Sequence, residues 1–202
     1  MSSVSMSRYA GTDHFTYPDS DVLRNMADIR NQEALDAFEA DATAIRMLEL
    51  YEAPISGEFD LGHLCAIHRH LFQDVYEWAG QLRTVDISKG DSRFANWALI
   101  QSYLGKQLHA LPDENWLRGA PPERFVDRLA HYMGEINAAH PFREGNGRVQ
   151  RAFCAQLADQ AGYFINFEDV EGDTMIAAMI ASFKGNQQPL VDLLERIVSI
   201  VA

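Results

Sequence analysis

Cysteine is nearly absent from this chain of 202 residues: Cys65 and Cys154 stand 89 positions apart, with no C-x-x-C pair. That usage excludes a disulfide-stapled scaffold and a dithiol redox motif, and leaves two free thiols on buried helix faces in a reducing compartment as the expectation. Basic residues are scarce as well, 17 Lys and Arg against 29 Asp and Glu, for a formal charge of −12. A phosphate backbone needs a clustered basic face, so no nucleic-acid partner is expected. No apolar run approaches the ~18 residues of a membrane span, and the polar opening MSSVSMSRYAG is no secretory signal. A soluble, cytoplasmic protein without a membrane partner is expected. Repeats, low-complexity tracts and a Walker-type Lys-Ser or Lys-Thr after glycine are missing too. What remains is ordinary globular composition, 47% hydrophobic and 23% charged, at a length suited to one core.

Alternating strand patterns are rare, and helical spacing fills the chain. Residues 1–18 read as a polar arm and 19–202 as a single domain. From Asp21 a helical pattern begins, with a break at Asn31, and Ile29, Leu35, Phe38, Ala42, Ile45 and Leu48 form its apolar stripe. Asp60 is placed to cap a helix over 60–78. Further helices are expected over 97–111, from Pro121 to His140, over 149–161, 174–184 and 189–201. The helix carrying Phe125, Val126, Leu129, Tyr132, Met133 and Ile136 is broad enough to be central. His63, His68 and His70 share a helix, but their spacings of five and two do not align them as metal ligands. The one strand signal is 81–95, QLRTVDISKGDSRFA, where Val85 and Ile87 alternate with polar residues and Lys89-Gly90-Asp91 reads as a turn. The fold class is therefore all-α, about seven or eight helices with one short β-hairpin.

The chemistry concentrates in His140–Arg151, HPFREGNGRVQR. Gly145, Asn146 and Gly147 make a permissive turn ahead of a helix, whose N-terminus favours anions through its unpaired donors and dipole. Arg148 and Arg151, three apart, can address one anion together. Glu144 is a hard oxygen donor suited to a Mg²⁺ that keeps most of its waters. His140 can take a proton from a hydroxyl. A Gly-Asn-Gly turn alone is often only a turn, and a lone His-Pro is often structural. Together the residues read as a nucleotide-phosphate cradle with a metal ligand and a base beside it.

The stretch is similar, position by position, to the H-x-F-x-[DE]-G-N-G-R-x-x-R signature of Fic domains, the protein adenylyltransferases. That resemblance implies the Fic fold and transfer of AMP from ATP to a hydroxyl side chain of another protein. It implies His140 as the base, Glu144 as the Mg²⁺ ligand, and Gly145, Asn146 and Gly147 as the anion hole. Arg148 and Arg151 would serve the γ- and β-phosphates, and Phe142 would be a buried anchor. It makes 81–95 a flap over the site, with Lys89, Gly90, Asp91 and Ser92 approaching ATP and the flap edge pairing with the target. The adenine pocket, near Phe183 in such proteins, finds no assignable asparagine here. Another phosphoryl or nucleotidyl transfer in the same fold, or a non-catalytic interaction domain, is the alternative.

The sequence resembles the toxin-like branch of the family, in which control comes from an [ST]-x-x-x-E-[GN] helix whose glutamate reaches the cradle at Arg148. Glu114, Glu144 and Glu171 are the glutamates followed by Gly or Asn, and Ala110, His140 and Phe167 stand four before them. None fits, so the resemblance implies a small inhibitory antitoxin in trans, with the ATPase subunits of type II topoisomerases as possible targets.

Overall fold

Asn31 starts the first helix by accepting the amide of Ala34 on its side chain, and α1 runs from Gln32 to Glu52. The structure, a computed structural model, describes residues 13–90 and 92–201. Asp60 caps α2, Leu61–Phe72, through a 2.8 Å bond from the His63 amide. A hairpin follows, β1 (Ser88–Lys89) and β2 (Ser92–Arg93), and then a 3-10 turn leading into α3, Ile100–Leu108. α4, Pro122–Ala139, is the central helix. Its proline pair opens it, and Phe125, Val126, Leu129, Tyr132, Met133 and Ile136 are all buried against α3, α5, α6 and α7. α5 (Asn146–Gln160), α6 (Gly172–Phe183) and α7 (Gln188–Ile197) complete seven α-helices among the described residues.

Four expectations are corrected. Residues 21–30 are not helical: Thr16 and Leu23 form a β-bridge, Asp28 has a positive φ, and Asn25 ties its side chain to the backbone of Leu23 and Ile29. Side-chain bonds of this kind compete with helix formation. The helix expected to reach Trp78 ends at Phe72, although Val75, Tyr76 and Trp78 stay buried in the turns that follow. The last helix stops at Ile197. Val198–Ile200 instead pairs antiparallel with Tyr163–Ile165, as β4 and β3 in a second two-stranded sheet. Three-residue strands are too short to show alternation, so their apolar residues read as helix spacing.

The fourth correction is the face of α1. Its buried positions are Leu35, Glu39, Thr43 and Leu50, whereas Ile45 and Leu48 of the expected stripe are 60% and 68% exposed. A glutamate and a threonine take the inward face because a cation awaits them there. Of the expected polar arm, residues 1–12 lie outside the described residues. Beyond them Phe15 is buried, edge-on to Trp78. Both cysteines are free thiols, Cys154 buried and Cys65 half-buried.

Candidate active site

α4 ends at Ala139 because Pro141 disfavours α-helical geometry in the residue before it. His140 caps the helix in the left-handed region, φ 45° and ψ 64°. Its amide still reaches Ile136, and its Nδ1–H donates to the Asn137 carbonyl at 2.9 Å. That bond assigns the tautomer and puts the lone pair on Nε2. The ring of Phe94 stacks on the imidazole, centroids 3.7 Å apart. Burial pushes the His140 pKa down to about 3, with the Asn137 carbonyl opposing and the Arg83 and Lys89 charges adding to the drop. The imidazole is thus neutral at physiological pH, as a base must be.

From Pro141 the chain loops into α5. Phe142 is buried as an anchor and stacks on His68. Asn146 staples the loop, accepting the Phe142 amide and donating to the Phe142 carbonyl. Its side chain is thereby committed to loop shape, so Asn146 faces an anion with backbone only. Gly145 sits at φ 79° as the N-cap, and α5 begins at Asn146, earlier than expected. The first-turn amides of a helix have no acceptor within it, so this end can receive an anion. Glu144 accepts the Gly145 amide on Oε1 at 2.9 Å and lies 3.9 Å from Arg148. Among the described residues no cluster of three or more metal-type ligands exists. A single half-buried carboxylate beside a helix N-terminus fits Mg²⁺, which takes one or two protein oxygens and completes its shell with phosphate and water.

The two arginines differ in a way the sequence does not show. Arg148 is paired with the Glu39 carboxylate, donates to Thr43 Oγ1 at 3.1 Å and lies over the ring of Phe72. Glu39 also receives the hydroxyl of Tyr76. Arg151 has no acidic partner among the described residues; desolvation, and then the Arg148 charge, lowers its pKa. Arg151 is therefore a desolvated cation with no carboxylate beside it among the described residues, and an anion bound there would relieve it. Arg151→Ala is expected to cost bound ATP about 1.5–3 kcal/mol, a tenfold to hundredfold loss in affinity by calorimetry. Equal affinity in wild type and variant would move the anion elsewhere.

The hairpin is in place, with Ser88 opposite Arg93 and Lys89 opposite Ser92. It is shorter than the 81–95 segment. Gly90 turns at φ 56° and is exposed, Lys89 and Ser92 are half-buried, and Asp91 lies outside the described residues. Ile87 and Phe94 bury beneath it, with Phe94 reaching both His140 and Phe183.

The site roles of Glu39, Thr43, His68 and Arg143 escaped sequence reasoning. Glu39 and Thr43 could have been noticed as polar residues at i and i+4 on the Leu35 face. His68 accepts the Gly80 amide on Nδ1 at 2.7 Å and donates from Nε2 to the Glu144 carbonyl at 3.2 Å, neutral because burial drives its pKa to about 3. Arg143, an unspecified position of the motif, is buried and pairs with Asp13.

Residues 58–158 match the Fic/DOC family model. The chain is 45% identical over 95% of its length to the protein adenylyltransferase VbhT of Bartonella schoenbuchensis, of which it spans 40%. It is 39% identical to the probable protein adenylyltransferase Fic of Escherichia coli, with 94% of each covered. Among solved structures it resembles the ADP-bound N-terminal Fic domain of a VirB-translocated Bep effector from Bartonella quintana, at TM-score 0.87 and 32% identity, covering 93% of this chain and 95% of that one. It also resembles AMPPNP-bound BepC of Bartonella tribocorum, at TM-score 0.88 and 27% identity over 93% and 97%.

Proposed function

Because the chain belongs to the Fic/DOC family, we propose that its activity is transfer of AMP from ATP to a hydroxyl side chain of a target protein. One observation carries the reading: a single loop joins a neutral imidazole at the end of α4 to a carboxylate and an arginine at the start of α5. His140 Nε2 takes the proton of the target hydroxyl as its oxygen attacks the α-phosphorus. The new O–P bond forms as the bond to the β-phosphate bridging oxygen breaks, and pyrophosphate leaves. First-turn amides of α5 and Arg151 hold the departing phosphates, which is where charge accumulates. Glu144 would hold Mg²⁺, which supplies charge neutralisation on the phosphates when bound. Lys89 and Ser92 line the flap edge against which an extended target segment would align by strand addition.

The test is mass spectrometry after incubating the chain with isotope-labelled ATP, a bacterial lysate, and separately purified ATPase subunits of type II topoisomerases. Added AMP on a hydroxyl supports the reading; a bare phosphate would establish the alternative transfer, and no label would leave a binding domain. Control by an antitoxin in trans is part of the same proposal. Arg148, the partner the resemblance implies for an inhibitory glutamate, already carries Glu39 of its own chain, so such a glutamate would instead find its partner in Arg151.

A further inference from the structure

Arg83 has a fully buried side chain, a costly position for a guanidinium unless its donors are met. They are met by backbone. Nε donates to the His140 carbonyl at 2.8 Å, and Nη2 donates to Ala139 at 3.1 Å and to Ala95 at 2.5 Å. Nη1 donates to Val85 at 2.5 Å, with the Asp86 carboxylate 3.9 Å away. Its own amide donates to the Pro141 carbonyl at 2.9 Å. These acceptors form two groups. Ala139 and His140 close the C-terminal end of α4, where carbonyls lack helical donors and carry partial negative charge. Val85 and Ala95 stand on the two arms of the hairpin stem, just outside Ile87 and Phe94. The planar fork is what lets one side chain reach both groups, and a lysine ammonium has too few donors in the wrong geometry to do so.

We propose that Arg83 is a positioning residue for the transfer, fastening the flap stem to the His140 backbone so that flap edge and base keep a fixed offset. The inference rests on the function proposed above. An extended target segment aligned on β1–β2 would take the position of its hydroxyl from this offset, and misplacement by about 1 Å is enough to cost about a hundredfold in rate. The Arg83 bonds given above run to the end of α4, to Pro141 and to the flap stem, so the first-turn amides of α5 should keep their geometry without it.

The experiment compares wild type, Arg83→Lys and Arg83→Met by hydrogen exchange with mass spectrometry, ATP titration, and single-turnover AMP transfer. In Arg83→Met, amides of 84–90, 92–96, Ala139 and His140 should exchange at least about tenfold faster while α5 keeps its protection. ATP affinity should stay within about twofold as turnover falls about a hundredfold, and Arg83→Lys should lie between. Unchanged exchange in the flap stem would overturn the proposal, as would wild-type turnover from an opened flap. Protection lost across α2, α4 and α5 in both variants would make Arg83 a fold residue only and overturn it as well. If Arg83→Met does not fold, Arg83→Lys decides by the same criteria. Should wild type itself transfer no label, the proposed function fails, and the exchange pattern alone decides the linkage.

Discussion

His140→Asn is expected to lose about 10²–10⁴-fold in AMP transfer with ATP affinity unchanged. Asparagine is the informative replacement because the position is left-handed, φ 45°, where alanine adds a backbone cost of about 1–2 kcal/mol that asparagine largely escapes. Loss of turnover in Asn and Ala variants alike assigns the effect to the missing base rather than to the loop. Single-turnover transfer with labelled ATP, beside a nucleotide titration, separates chemistry from binding. Retention of most of the wild-type rate by His140→Asn would remove His140 from the mechanism. The same residue sets a pH expectation. With its folded pKa near 3, below the unfolded value of about 6.5, His140 stays neutral in the folded chain at pH 5. Proton NMR of its ring at that pH should show no titration. Below about 6.5 the unfolded chain binds protons that buried His140 and His68 refuse, so stability contributed by their neutral forms falls with pH from that point down toward 3.

Gly145→Ala should be the most damaging small substitution in the cradle. A Cβ there would meet Phe72 Cζ at 2.2 Å and Cε2 at 2.3 Å, on a residue whose φ of +79° already disfavours a side chain. Phe72 cannot yield: it is fully buried, stacked on His68, and covered by the Arg148 guanidinium. The backbone and overpacking costs together come to about 2–5 kcal/mol. For a domain of this size the melting temperature should fall by on the order of 10 °C. Displacement of Phe72 also disturbs both the Arg148 seat and the His68 bond to Glu144, so ATP affinity should fall in parallel. Gly172→Ala is the control, since a Cβ there meets nothing within 4 Å and its φ is ordinary. Circular dichroism melts of the two variants decide the matter, and equal melting temperatures would mean that the α5 start does not rest on Phe72.

Helices α4 and α5 and the loop between them were legible because three local signals coincide there: a broad 3.6-period face, a proline stop, and a glycine-bounded turn. Asp60 was legible as a cap for the same reason, since capping acts over three residues. The face of α1 was not. Its stripe was drawn through Ile45 and Leu48, while the buried positions include Glu39, whose placement is set by Arg148 far along the chain. Periodicity registers apolar residues and is silent about an acid drawn inward by a cation. Arg83 was invisible for a related reason: its partners are carbonyls, which every residue carries, so composition holds no trace of them. The strands β3 and β4 pair across the chain's last quarter, and three residues hold too little pattern to show it.

The contacts that shape the site also fix when it can exist. Arg143 is tied to Asp13 across 130 positions, Arg148 to Glu39 across 109, His68 to Glu144 across 76, and Arg83 to His140 across 57. Each closes a long loop, and closing entropy is spent before the contact returns anything. Glu39 and His68 meet Tyr76 and Gly80 early in the chain, but their bonds to Arg148 and to the Glu144 carbonyl must wait for residues 140–151. The cradle therefore depends on contacts that only the docked helices supply. A form that keeps 140–151 but loses the segment carrying Asp13 and Glu39 would keep every motif residue and lose the carboxylates that hold Arg143 and Arg148. For a chain proposed to modify hydroxyls on other proteins, that dependence would keep incomplete copies inert.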